Sequence, residues 1–299
     1  MKIGIDLGGT KIECVVISED HQIVFRERLP TPKGDYAATV NTIEQLVAQT
    51  LPYAPANTPV GIGIPGTLSS DTGTIKNANS TCLIGKPLDK DLALRLNRPI
   101  KLANDANCFI WSEFCDGAAK GTTNAFGVII GTGVGGGLVM NHQLVNGLNG
   151  IAGEWGHNPL PHFKLEQQPC YCSKEDCIET YLSGPAFEKR FLEQSSTKTI
   201  SPVNAEEIVN LARTGDSLAQ KHLDTYAKML AASLTGVINI VDPDIIVLGG
   251  GMSNIDELYE LVPNYLQEYV FSDTIHTPIV KAKHGDSSGV RGAAWLWND

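Results

Sequence analysis

Two stretches of this chain share one layout, and that layout limits the folds open to it. Ile3–Ile17 reads as an apolar strand, a turn at Gly8-Gly9 and a second apolar strand. Phe126–Met140 repeats the plan around Gly131-Thr-Gly-Val-Gly135. Glycine lets the backbone approach a ligand closely and aim consecutive N–H groups at it, which is what a phosphate requires. A phosphate turn set in a hairpin, and set twice, predicts two related lobes that clamp one nucleotide. The pair of hairpins is the only internal repeat, and no low-complexity segment interrupts the chain.

The 299 residues suffice for two domains of ordinary size, each with its own core. A net charge of −10 argues against a nucleic-acid or anionic-membrane partner. No apolar run is long enough to span a bilayer. One lysine precedes the first strand, so the expectation is no secretory signal and a cytoplasmic location. Seven cysteines is an odd number, and three of them crowd between Cys170 and Cys177. In a reducing compartment, clustered thiols bind metal more often than they pair.

The first lobe is expected over residues 1–118. After its hairpin come a strand near Ile23–Arg28, a helix over Asp35–Thr50 and a buried strand over Val60–Ile64 that ends in Pro65-Gly66. A short strand, Ile100–Ala103, runs into Asn104-Asp105 and then a helix over Ala106–Ala118. The second lobe, residues 119–287, opens with the repeated hairpin. It continues through an irregular glycine-rich stretch, Asn146–Pro161, and the cysteine cluster. A long helical pattern covers Ser217–Val241, and a continuous apolar strand, Ile245–Leu248, enters Gly249-Gly-Gly251. Residues 288–299 are expected to return to the first lobe as a helix.

The chemistry concentrates in five places. The first turn, Asp6-Leu-Gly8-Gly9-Thr10-Lys11, has the wrong spacing for a Walker loop and leads into a strand. Its plain reading is a tight hairpin turn. Its functional reading rests on Asp6, a carboxylate at the end of a buried strand and a natural partner for Mg2+ or its waters. Thr10 and Lys11 add a hydroxyl and a cation. In the second turn, five glycines in the seven residues Gly131–Gly137 would weaken a sheet without some return, which points to phosphate contact by Gly131, Thr132, Gly133 and Gly135. Gly249 and Gly250 fit close backbone approach to an adenosine, or a plain strand-to-helix loop.

Asp105 stands where a helix begins, so it reads either as an N-cap or as a base kept ionised by the helix N-terminus. Phosphoryl transfer has a loose transition state and needs a positioning base more than a strong one. Asn104 and Asp105 together could hold two adjacent sugar hydroxyls. Finally, His157 with Cys170, Cys172 and Cys177 makes a Cys3His set suited to tetrahedral Zn2+, closed to water and therefore structural. The alternative is three free thiols, or one disulfide plus a spare. A zinc knuckle would pin Glu154 and Glu179 at one sugar. Cys14, Cys82, Cys108 and Cys115 read as core or helix-face thiols, and His142, His162, His222, His276 and His284 belong to no constellation.

Taken together, these residues resemble the sugar kinases of the ROK family. The resemblance covers essentially the whole chain. It rests on Asp6–Lys11, Ile64-Pro-Gly66, Leu102–Cys108, Gly131–Gly135, Gly153-Glu-Trp-Gly-His157, the cysteines with Ile178-Glu179, and Val247–Gly251. It implies an actin-like, RNase H-like ATPase fold of the α/β class, two lobes with a nucleotide and sugar cleft between them. It implies Asp105 as the general base for the sugar's primary hydroxyl, and Asn104, Glu154, His157 and Glu179 as sugar ligands, with Gly66 and Asn79 nearby. It implies His157, Cys170, Cys172 and Cys177 as zinc ligands, and a homodimer. One departure stands out: Ser173 and Asp176 replace glycines usual in the family.

Within the family, Asn77–Thr81, Gly85–Leu88 and the ending Lys283–Trp295 look most like bacterial fructokinases of the mannose/fructose kinase type. The expected reaction is ATP- and Mg2+-dependent phosphorylation of fructose to fructose 6-phosphate, with mannose as a second substrate. N-acetylglucosamine kinase and glucokinase are the alternatives. A sugar-sensing regulator is the non-enzyme alternative. The family's repressors need an N-terminal winged helix, and a hairpin starting at Ile3 is expected to leave no room for one. A zinc hydrolase conflicts with the closed ligand set.

Overall fold

In the computed structural model, which describes residues 1–194 and 204–297, each glycine hairpin opens a five-stranded sheet. The first sheet begins with β1 (Lys2–Leu7), β2 (Lys11–Ile17) and β3 (Ile23–Pro30), paired antiparallel in turn. α1 (Tyr36–Ala48) leads to β4 (Val60–Ile64), then to a small ladder of β5 (Thr67–Leu68) and β6 (Ile75–Lys76). α2 (Leu88–Leu96), β7 (Ile100–Asn104) and α3 (Asp105–Cys115) follow. The sheet order is β3-β2-β1-β4-β7, with β4 parallel to both β1 and β7.

The second sheet holds β8 (Ala125–Ile130), β9 (Val134–Met140), β10 (Gln143–Leu144), β11 (Ile245–Gly249) and β12 (Ile279–Lys281) in the order β10-β9-β8-β11-β12. Counted along the chain, both sheets run third, second, first, fourth, fifth. The duplication visible as two hairpins therefore extends to whole sheets. Each sheet is centred on strands buried along their length. β4 and β11 are buried at all five positions, so they read as unbroken apolar runs. β3, at an edge, alternates between exposed and half-buried.

The remaining helices are α4 (Glu179–Leu182), α5 (Gly184–Gln194), α6 (Ala205–Arg213), α7 (Ser217–Val241), α8 (Leu258–Leu266) and α9 (Ser288–Trp295). α7 has the bounds its spacing predicts, capped by Asp216 and ended by Asp242 in the left-handed region. α3 stops at Cys115, short of the expected Ala118. The Glu113 carboxylate takes the Ala118 N–H at 2.8 Å and turns the chain there. α9 lies flush on the first sheet, because a Cβ at Gly61 would sit 1.8 Å from the Ala293 carbonyl oxygen. Val15 and Ile17 of β2 bury against Val290 and Ala294 of α9.

The chain forms two compact units. One comprises Met1–Thr123, Gly137–Gly153 and Lys283–Asp299; the other comprises Asn124–Gly136 and Glu154–Ala282. Residues 195–203 and 298–299, which the expected lobes include, lie outside the described residues. Among the described residues, no helix is long and apolar enough to cross a membrane.

Candidate functional site

In the first unit, strand register collects the candidates at one sheet edge. Asp6 pairs with Gly63, and Ile64 pairs with Asn104, so Asp6, Gly66 and Asn104-Asp105 emerge together at the carboxyl ends of β1, β4 and β7. Ligands of open α/β sheets bind at this edge. The turn after β1 is held from outside. Gly8 N donates to Lys11 O at 3.1 Å, and the Thr31 hydroxyl donates to Gly8 O at 2.7 Å. Gly9 and Thr10 are exposed, and among the described residues nothing lies within 4 Å of where a Gly9 Cβ would be. The Lys11 ammonium lies 4.0 Å from Glu13, a carboxylate that Arg28 also grips at 2.8 and 3.1 Å.

Asp6 is only partly exposed. Burial, then the nearby charges of Asp105 and Glu13, raise its pKa to about 6, and Lys11 works the other way. A carboxylate raised by desolvation and by like charges is one that a bound cation relieves, so the donor set fits Mg2+.

Asn104 is the N-cap of α3: its Oδ1 accepts from Ala106 N at 2.9 Å. The capping role that the plain reading gives to Asp105 therefore belongs to its neighbour. The Asn104 amide also donates to Gly66 O at 3.2 Å, which joins two candidate sugar ligands. Asp105 is the first residue of α3 and is exposed, with Oδ1 accepting from Ala106 N at 2.8 Å. Asn79 is exposed and lines a cavity of about 290 Å3 with Leu7, Gly9, Thr31 and Thr39.

In the second unit, Glu179, Trp155 and Gly184 grip the second glycine turn. Glu179 Oε2 accepts from Val134 N at 2.8 Å, and Trp155 Nε1 donates to Gly135 O at 3.0 Å. Gly131 N donates to Gly133 O at 3.0 Å, and Gly184 N donates to Gly131 O at 2.8 Å. Thr132 is exposed at the tip. Glu154 has a raised pKa through burial, with Glu179 raising it further and the His157 charge opposing. These effects bring Glu154, His157 and Glu179 into one electrostatic group. Gly249 ends β11. Gly250, at φ 80°, packs so closely on β8 that a Cβ would meet Ile130 O at 2.4 Å. That packing by itself requires glycine there.

The ligand atoms of His157, Cys170, Cys172 and Cys177 all lie within 4.8 Å of one another. Cys172 Sγ is 3.6 Å from Cys177 Sγ, and Cys170 Sγ is 3.7 Å from His157 Nδ1. Tetrahedral zinc with Zn–S bonds of about 2.3 Å would place sulfurs about 3.8 Å apart. The donor set and its spacing therefore fit a structural Zn2+. His157 Nε2 lies 3.1 Å from the Tyr171 hydroxyl, a partner that orients the ring. Ser173 (φ 68°) and Asp176 (φ 58°) adopt the left-handed backbone that glycine would take there. Asp176 is anchored in that conformation by its own carboxylate, whose Oδ1 accepts from Gln168 N at 2.9 Å and from the Tyr181 hydroxyl at 2.6 Å.

The profile of the ROK family matches residues 2–299. The chain belongs to the ROK family. This ROK chain is 39% identical, over 99% of its length and 98% of the relative's, to an N-acetyl-D-glucosamine kinase of Pectobacterium atrosepticum. Its structure superposes on the ROK hexokinase of Thermus thermophilus with a TM-score of 0.83, at 29% identity and with 98% and 97% of the two chains covered. The ROK glucokinase of Streptomyces griseus, solved with glucose and AMPPNP, gives 0.80 at 27% identity, with 99% and 98% covered. The fold is the expected actin-like, RNase H-like α/β fold of this family.

Two structural roles were not read from the sequence, one of them inside the Gly153-Glu-Trp-Gly-His157 motif and one at Glu113. Trp155 and Gly156 hold the second turn, and a Cβ at Gly156 would meet Val134 O at 2.3 Å. Glu113, fully buried, accepts from the backbone of Lys283 and His284 and from the Ser288 hydroxyl, which fixes the start of α9. His284, expected to stand alone, bonds Asp116 at 2.8 Å, and Arg291 bonds the same carboxylate. An acid inside the apolar stretch Cys108–Phe114 is the one trace that could have pointed to Glu113.

Proposed function

We propose that this ROK protein transfers the γ-phosphoryl group of ATP to the primary hydroxyl of N-acetyl-D-glucosamine. The observation that carries the reaction is Asp105, exposed on the first turn of α3 and electrostatically coupled to Asp6 at the same sheet edge. Asp105 takes the hydroxyl proton as the bond from the sugar oxygen to the γ-phosphorus forms and the bond to the departing ADP breaks. Asn104 and Gly66, already hydrogen-bonded to each other, orient neighbouring hydroxyls with Asn79. Glu154, His157 and Glu179 hold the rest of the ring. Gly8–Lys11 and Gly131–Gly135 receive phosphates, and the backbone at Gly249 and Gly250 approaches the adenosine. Asp6 would hold Mg2+, which when bound supplies charge neutralisation at the phosphates. His157, Cys170, Cys172 and Cys177 would hold a structural Zn2+ that stiffens the segment carrying Glu179.

Asn77–Thr81 and Gly85–Leu88 support fructose. The relative at 39% identity across nearly the whole chain carries the name of the alternative, N-acetylglucosamine, and moves the weight there. A coupled ADP-release assay with ATP and Mg2+ tests this against N-acetylglucosamine, fructose, mannose and glucose. Turnover highest with N-acetylglucosamine is the expected result. Turnover highest with fructose restores the first expectation. Sugar binding without turnover on any of them would support a sensor. The homodimer implied by the resemblance is checked by light scattering.

A further inference from the structure

We propose that Glu179 has a second task, which rests on the kinase reading: it holds the second glycine turn in the conformation that receives phosphate, before any sugar is bound. The carboxylate reaches the turn directly, with Oε2 accepting from Val134 N at 2.8 Å. Val134 begins β9, and its N–H is the first one after the glycine tip. Gly133 makes room for this bond, because a Cβ there would lie 2.6 Å from Glu179 Oε2. Gly133 does not have a positive φ, so the space for the carboxylate, and not a special backbone conformation, is what glycine supplies.

The base of Glu179 is rigid. It starts α4 two residues after Cys177, and Thr180 donates to Cys177 O from both its N–H (2.8 Å) and its hydroxyl (2.7 Å). Ile178 N donates to Asn158 O at 2.8 Å, and the buried Tyr226 hydroxyl donates to Leu182 O at 2.7 Å. The other grips on the turn, Gly184 on Gly131 O and Trp155 on Gly135 O, donate to its carbonyls. Among these contacts Glu179 alone takes an N–H. A negative charge beside a turn that receives phosphates is repulsive in itself. Its presence is accounted for if it occupies one N–H and so orients the remaining ones toward the nucleotide. A carboxylate has two oxygens, so the same group can also accept from a sugar hydroxyl.

The test is calorimetric titration of MgADP into the full chain with no sugar present, alongside melting temperatures. E179A should lower MgADP affinity about tenfold, the expected scale for one lost charge-assisted hydrogen bond. E179Q keeps a carbonyl that can accept from Val134 N, so it should stay within about twofold of wild type. G133A retains Glu179 but displaces its carboxylate, and should match E179A. If E179A does not fold, E179L, which keeps the bulk of the side chain and offers Val134 N no acceptor, takes its place. Wild-type MgADP affinity in E179A or in a folded G133A overturns the proposal, because a residue that only binds sugar would leave it unchanged. A wild-type chain that binds no MgADP overturns the kinase reading itself, and is told apart from the first failure by that control.

Discussion

Asp6 sets the chemistry of one side chain against the stability of the fold. Its carboxyl titrates near 3.8 when exposed and near 6 in the folded chain, chiefly through burial. The native state therefore holds a proton that the unfolded state has lost between those values. Stability falls as pH rises through that window, and the loss is complete above it. Asp6→Asn should raise the melting temperature at pH 8, by the equivalent of about 1–3 kcal/mol, and change it little near pH 4. It should also abolish Mg2+-dependent turnover. An equal gain at both pH values would sink the burial argument. Asp105→Asn should leave the sugar KM within a few-fold and lower kcat by about 100- to 10,000-fold in the coupled assay. Unchanged kcat removes Asp105 as the base. Both aspartates are legible in the sequence because their setting, a strand end or a helix start beside glycine, is local. That Asn104 and not Asp105 caps α3 is not legible, since either side chain can accept from the same N–H.

At the scale of elements, α9 is placed by groups far along the chain. Glu113 offers two oxygens to four donors: Lys283 N, His284 N, Ala118 N and the Ser288 hydroxyl. Glu113→Gln turns an NH2 toward donors and should lower stability by about 2–4 kcal/mol, read from urea denaturation. An unmoved midpoint would show that these bonds do not hold α9. The cysteine segment makes a parallel case. Cys172→Ala should reduce both bound zinc, measured by elemental analysis, and the melting temperature. Wild-type protein that purifies and folds without zinc ends the metal reading. The grouping of His157, Cys170, Cys172 and Cys177 and the span of α7 could be read from spacing alone. The end of α3 could not, because a side chain bond to Ala118, and not helix propensity, stops it.

His222 and Asp6, one in each unit, should respond to acid in opposite directions. His222, buried in the second unit and bonded to Phe187 O at 2.9 Å, has its pKa lowered to about 4 by burial. The unfolded chain takes up a proton there as pH falls below about 6.5, so stability is lost between about 6.5 and 4. Asp6, in the first unit, adds stability across much of the same range. Hydrogen exchange, corrected for intrinsic rates, should show α7 losing protection between pH 6.5 and 4.5 more than β1 does. Equal loss in both would contradict it. The sequence by itself determined the duplicated hairpins, the buried strands, α7 and the residue types of the site, because turn chemistry and side-chain periodicity act within a few residues. The tertiary structure decided that Glu179 holds the turn at Val134, that Glu113 fixes α9 and that Gly250 serves packing on β8. Each of those outcomes pairs groups 45 to 170 positions apart, or strands paired across a sheet, and only the closed chain brings such partners within hydrogen-bond or van der Waals reach.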